Sequence, residues 1–92
     1  LQFMLGRDMI VAPVLDAGRD RVDVYLPAGR WCHLWTAQEM HQEKGAWLSV
    51  AAPAGAPAVF YRAESEYADF FRTQFGPGSE FSTEFGSPVY ST

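Results

Sequence analysis

The chain has 92 residues, of which 48% are hydrophobic and 15% aromatic, and it carries a net charge of −4. That length holds one domain at most, and so apolar a composition excludes a chain disordered throughout. The seven basic residues are scattered, which excludes the clustered phosphate neutralisation of a nucleic-acid binder and the basic patch of a membrane-surface protein; no apolar run reaches the ~18 residues of a membrane helix.

A chain this short buries roughly 60–65% of its unfolded surface, so a lone core is marginal and a docking partner would strengthen it. Cys32 is the single cysteine, which excludes an internal disulfide and any multi-cysteine metal site. It fits a reducing compartment, so a cytoplasmic location is expected. The sequence starts at Leu1 in the middle of an apolar pattern and reads as a piece of a larger protein.

Residues 1–5, LQFML, fit a helix or the end of a buried strand, broken by Gly6. Residues 9–14, MIVAPV, are continuously apolar, as in a strand buried on both faces. Pro13 lacks a ladder donor, so that end is expected at an edge or a bulge. DAGRD at 16–20 is a turn, with Gly18 free to take positive φ. Residues 21–26 alternate, with Val22, Val24 and Leu26 on one face and Asp23 and Tyr25 on the other, a half-buried strand. Pro27-Ala28-Gly29 makes the next turn.

Residues 31–36, WCHLWT, are expected as a strand with Trp31, His33 and Trp35 on one face and Cys32 and Leu34 on the other. Residues 38–45 read as a polar connection. Two further strands, 47–51 and 58–62, are separated by PAGAP. Ser65 is placed to cap a short helix whose apolar stripe is Tyr67, Phe70 and Phe71, ended by Gly76 and Pro77. From residue 76 the chain is rich in Gly, Ser, Pro and Thr and repeats Glu80-Phe81 as Glu84-Phe85, a flexible tail or a segment that docks by its phenylalanines. The expected fold is therefore all-β: a small antiparallel β-sandwich of about five strands, with a short C-terminal helix and a flexible tail.

Nothing in the chain assembles a catalytic group. The acids, from Asp8 to Glu84, fall in turns, on outward strand faces or in the tail, and read as solvated surface charge rather than a glycosidase-type pair. Asp8, in a tight corner after Gly6, suits bonding to local backbone N–H groups. His33 between two tryptophans reads as a packed histidine. Glu39, His41 and Glu43 share one face if extended, a weak metal pattern in a polar segment. Ser49 and Ser65 have no base nearby, Cys32 reads as a small core residue, and no phosphate-cradling glycine loop is present. Trp31, Trp35 and Trp47 suit a sugar-stacking platform or a packing seam against a neighbour, with the seam favoured. No catalytic, substrate-binding or metal residue and no cofactor is assigned.

The ordered pieces QFMLGRD at 2–8, IVAPV at 10–14, VYLPAGRW at 24–31, LWT at 34–36 and APAGAPAVFYRA at 52–63 resemble glycoside hydrolase family 31, the retaining α-glucosidase family. The resemblance covers residues 1 to about 71. VFYRAESEYADFF at 59–71, together with His33, resembles the branch that hydrolyses sulfoquinovosides. Ala37 departs from the pattern, standing where many members have a glycine.

The resemblance implies a (β/α)₈ catalytic barrel upstream, holding an aspartate nucleophile and an aspartate acid/base that act through a covalent glycosyl-enzyme. No position here matches either motif. It also implies the organisation of the chain: a connector from the barrel at 1–8, the proximal C-terminal β-domain at 9–72, and a tail at 73–92. The expected role is to buttress the barrel, with residues 9–14 and the aromatic faces as the docking surface. Carbohydrate would be met only through that barrel. The competing expectation is a stand-alone carbohydrate-binding module using surface tryptophans.

Overall fold

A computed structural model describes residues 2–14, 20–52 and 56–79. Most of the DAGRD turn, the start of PAGAP and the tail with its two Glu-Phe pairs lie outside the described residues. Within them the chain forms β1 (Phe3–Leu5), β2 (Met9–Ala12), β3 (Arg21–Leu26), β4 (Gly29–His33), β5 (Glu39–Gln42), β6 (Ala46–Ala51), β7 (Ala58–Arg62) and α1 (Ala68–Phe75). One antiparallel sheet runs in the order β1-β2-β7-β4-β5, and a second pairs β3 with β6. This is the expected antiparallel sandwich with a closing helix.

Two strands sharpen or add to the expectation. β1 resolves LQFML, read as either a helix or a strand end, as a strand within the connector, and it folds back through Gly6 (φ 63) to pair Phe3 with Val11 and Leu5 with Met9. β5 forms in the segment read as a polar connection, pairing Met40 with Trp31 and Glu39 with Cys32. An edge strand needs few apolar anchors because one rim faces water. Met40 packs on the core while Glu39 and His41 stay exposed.

β2 alternates: Ile10 and Ala12 are buried on the inner face, Met9 and Val11 half-buried on the outer one. The strand stops at Ala12, before Pro13, which cannot donate to a ladder. Its place between β1 and β7 pairs both of its edges and leaves Met9 and Val11 half-buried on the outer face.

Two apolar compartments share the five-stranded sheet. The inner one joins Ile10, Ala12, Trp31, Ala58 and Phe60 to Val24, Leu26 and Val50 of the small sheet. The outer one lies under α1 and holds Cys32, Leu34, Val59, Tyr61 and Ala68, with Phe71 and Phe75 packed against it. Burying one such large side chain is worth about 1.5–3 kcal/mol, so two modest compartments together can hold a domain this small.

Trp31 anchors the inner compartment at 0% exposure. Its Nε1–H donates to the Pro27 carbonyl at 2.8 Å, and the Arg62 guanidinium lies 4.3 Å from its ring centroid. Arg62 reaches there across Gly29 (φ 132), where any Cβ would meet Nη1 at 2.6 Å. The positive φ favours glycine at that position, and a side chain there would have to displace the Arg62 guanidinium.

The strand expected over WCHLWT ends at His33. The His33 N–H donates to the Gln38 carbonyl and the Ala37 N–H to the His33 carbonyl, both at 2.9 Å, closing a tight loop with Ala37 at φ 61. The chain therefore turns before Trp35, which leaves the Trp31 face and joins the outer compartment against Phe75.

Ser65, expected as the cap of α1, instead stands two residues before the N-cap Tyr67, and no side chain caps the helix. The Ser65 hydroxyl accepts from the Tyr67 N–H at 3.1 Å and its carbonyl from the Ala68 N–H at 3.0 Å, shaping the turn that leads into the helix. The buried face differs from the expected stripe: Ala68, Phe71 and Phe75 point inward, whereas Tyr67 and Phe70 are exposed. The helix runs to Phe75, beyond 72, and ends where the Gly76 N–H donates to the Arg72 carbonyl.

Candidate docking surface

The residues singled out from the sequence do not converge on a chemical site. Trp31 is in the core, Trp35 donates from Nε1 to the Pro57 carbonyl at 2.9 Å, and Trp47 alone is widely exposed, at 68%. Three tryptophans dispersed in this way offer no stacking platform, so the sugar-binding-module reading gains no support. An apolar groove of about 340 Å³, lined among the described residues by Val11, Pro13, Val14, Ala56 and Pro57, has no polar side chain to fix a sugar hydroxyl.

The described carboxylates of Asp20, Asp23, Glu39, Glu43, Glu64, Glu66 and Asp69 are all exposed. Asp8 is half-buried, and it is its backbone carbonyl that accepts, from the Arg62 N–H at 2.8 Å. Glu39 pairs with Arg30 at 2.8 Å on the surface. Among the described residues no three His, Cys, Asp or Glu side chains are grouped to hold a metal ion. Cys32 is a buried free thiol, and Ser49 accepts on its hydroxyl from Arg21 Nε at 2.9 Å. His33 is 1% exposed, with Nδ1 3.2 Å from the Thr36 hydroxyl and its ring edge-on to Phe60. Burial lowers its pKa to about 4, so it is neutral at pH 7.

What the structure does assemble is an uncovered apolar surface. Phe3, Met4 and Leu5 are 46%, 46% and 52% exposed, on a strand whose side chains alternate between the two faces of the sheet. Gln2, just before them, ties this edge to the small sheet. Its Nε2 donates to the Tyr25 carbonyl at 2.9 Å, and its Oε1 accepts from the Tyr25 N–H at 2.7 Å. Tyr25 in turn stacks edge-on against exposed Trp47, with ring centroids 5.5 Å apart, and its hydroxyl occupies the space a side chain at Gly45 would need. Phe3 and Leu5 share the outer face of the five-stranded sheet with Val11 and Met9, whereas Tyr25 and Trp47 lie on the far face of the small sheet, so Gln2 ties the two sheets together at this edge without joining the two exposed patches. Exposed apolar groups such as Phe3–Leu5 mark interaction sites. Sequence reasoning placed the interface on residues 9–14 and the aromatic faces, and it left out Phe3–Leu5 and Gln2. A side-chain amide that pairs with a distant backbone leaves no periodic signal.

The sequence profile of the Glycosyl hydrolase family 31 C-terminal domain matches residues 1–65. The sulfoquinovosidase of Escherichia coli strain K12 is 47% identical over 70 residues, which cover 76% of this chain and 10% of that protein. The sulfoquinovosidase of Agrobacterium fabrum is 43% identical over 70 residues, covering 75% and 10%. In structure the chain is similar to a GH31 family sulfoquinovosidase from E. rectale solved with the aza-sugar inhibitor IFGSQ. The TM-score is 0.72 at 38% identity, over 94% of this chain and 11% of that one. The chain thus spans about a tenth of the length of the relatives it matches. No helix among the described residues is long and apolar enough to cross a membrane. Profile, relatives and fold agree: the chain belongs to glycosyl hydrolase family 31, as a C-terminal β-sandwich domain of the sulfoquinovosidase-like kind.

Proposed function

We propose that this domain buttresses the catalytic barrel of a retaining sulfoquinovosidase, which hydrolyses the O-glycosidic bonds of sulfonated sugars. The observation that carries the reading is the uncovered apolar edge Phe3–Leu5 on a domain that spans a tenth of its relatives. Burying that surface against the barrel offsets the marginal core of a 92-residue chain. The chemistry belongs to the parent: two aspartates outside this chain act as nucleophile and acid/base, and the scattered, exposed carboxylates here take no part. Neither cofactor nor metal enters the reaction on this reading. A buried, unpaired Cys32 fits a cytoplasmic home.

The test compares the full-length parent with the 92-residue chain on a chromogenic α-sulfoquinovoside. The parent is expected to turn it over with retention and the chain alone to give none. In the parent, Phe3→Ser with Trp47→Ser should lower the midpoint of heat inactivation. Turnover by the chain alone would overturn the placement of the chemistry. An unchanged inactivation midpoint would overturn the buttress.

A further inference from the structure

The hydrogen-bond parity of the large sheet shows which backbone groups of β1 are left over. The Arg62 N–H donates to the Asp8 carbonyl at 2.8 Å, so the bonded pairs between β2 and β7 fall at Asp8 with Arg62, Ile10 with Phe60 and Ala12 with Ala58. Met9 and Val11 therefore turn their N–H and C=O groups the other way, toward Leu5 and Phe3 of β1. By the same alternation Met4 directs its N–H and C=O outward, away from β2 and past the rim of the sheet. Neither group has a partner among the described residues.

The other rims carry polar guards. β5 presents Glu39, paired with Arg30, and exposed His41. β3 has its outward groups at Tyr25 closed by the Gln2 amide, and β6 has the Ser49 carbonyl taken by Arg21 Nη2 at 2.8 Å. β1 has no charge, proline or bulge within it, and all three of its side chains are half exposed, on both faces of the sheet. A flat partner would cover one face only. A strand laid along the rim, with its own side chains alternating, reaches both and takes up the free backbone groups. An open apolar rim of this kind is what proteins otherwise avoid, because it templates strand addition.

We infer that an extended segment from the rest of the parent polypeptide adds a strand to β1, pairing with the Met4 N–H and C=O. The inference rests on the docking reading above and specifies its form. The relatives supply the source of such a segment: this chain covers 10% of their length, leaving roughly 90% outside it.

The experiment is hydrogen exchange on the full-length parent, with fragmentation that resolves single amides. The Met4 amide is expected to exchange within about tenfold of Leu5, whose N–H is bonded to β2. Exchange at Met4 about 100-fold or more faster than at Leu5 overturns strand addition. Oxidative footprinting of Phe3 and Met4 then separates the two readings, because protected side chains beside a fast amide leave docking intact and remove only the strand. Met4→Pro gives a second measure: on an open rim proline is tolerated, whereas on a paired one it deletes a bond. A lower inactivation midpoint for Met4→Pro than for Met4→Ala is expected, and equal midpoints count against the inference. Protection of Met4 that disappears on deleting residues 80–92 overturns an origin of the strand outside this chain.

Discussion

His33 is a titratable side chain shut inside the sandwich, on the face it shares with Trp31. Burial holds its pKa at about 4, against an ordinary value of 6.5. The unfolded chain therefore binds a proton between pH 6.5 and pH 4 that the folded chain refuses. Stability is greatest above 6.5, falls as pH drops below it, and the loss is complete below about 4; the whole step is about 3 kcal/mol. Urea unfolding at pH 7.5 and pH 5 should show this, and His33→Gln should lose that share of the difference while retaining the part due to carboxylates. Ala37 is the other informative residue. At φ 61 it sits in the left-handed region, which costs an L-residue about 1–2 kcal/mol. Ala37→Gly removes that strain but adds freedom to the unfolded chain. We expect a net gain of about 0.5–1 kcal/mol, read as a higher urea midpoint at unchanged slope.

Among the elements, α1 distinguishes an inward from an outward aromatic. Phe71 lies 5.0 Å from the Tyr61 ring and packs on the outer compartment, whereas Phe70 is 57% exposed. Phe71→Ala should cost about 2–3 kcal/mol and Phe70→Ala less than about 0.5, measured side by side by thermal melting. The sequence placed both in one stripe, because spacing of three and four shows that a helix has a face but not which flank of it meets the sheet. β3 was legible for the opposite reason: alternation assigns each residue to a face without reference to a partner, while β6 and β7 were legible as short strand-length runs on either side of the PAGAP turn. β5 was illegible because an edge strand needs few apolar residues, and β1 stayed open between helix and strand because three residues are too short to display a period. Trp35 was misplaced because the turn at Ala37 interrupts the alternation of WCHLWT, and a left-handed alanine announces nothing in sequence. The packed histidine and the buried Cys32 were read correctly from their alternation, while the uncovered rim depended on strand order, which no local pattern encodes.

At the scale of the whole molecule, the domain is three layers: the β3-β6 ribbon, the five-stranded sheet and α1. Its unbalanced feature is the apolar rim. Detached from a parent, the 92-residue chain should self-associate through Phe3, Leu5 and Trp47, giving oligomers by light scattering. Phe3→Thr, Leu5→Thr and Trp47→Thr together should return it to a monomer, since threonine keeps strand propensity while removing apolar area. A wild-type chain that stays monomeric at high concentration would argue against a surface made for docking.

The Gln2 amide has a mechanical meaning beyond stability. Its two bonds, at 2.7 and 2.9 Å, grip the N–H and C=O of Tyr25 as a neighbouring strand would. Each is worth about 1 kcal/mol, so swivelling the chain about that point means breaking both at once. Whatever polypeptide precedes Gln2 is thereby held on a fixed bearing to the sandwich, like a shaft keyed into its hub. Shortening the key by one methylene, as in Gln2→Asn, would leave every core residue in place and free the shaft to turn.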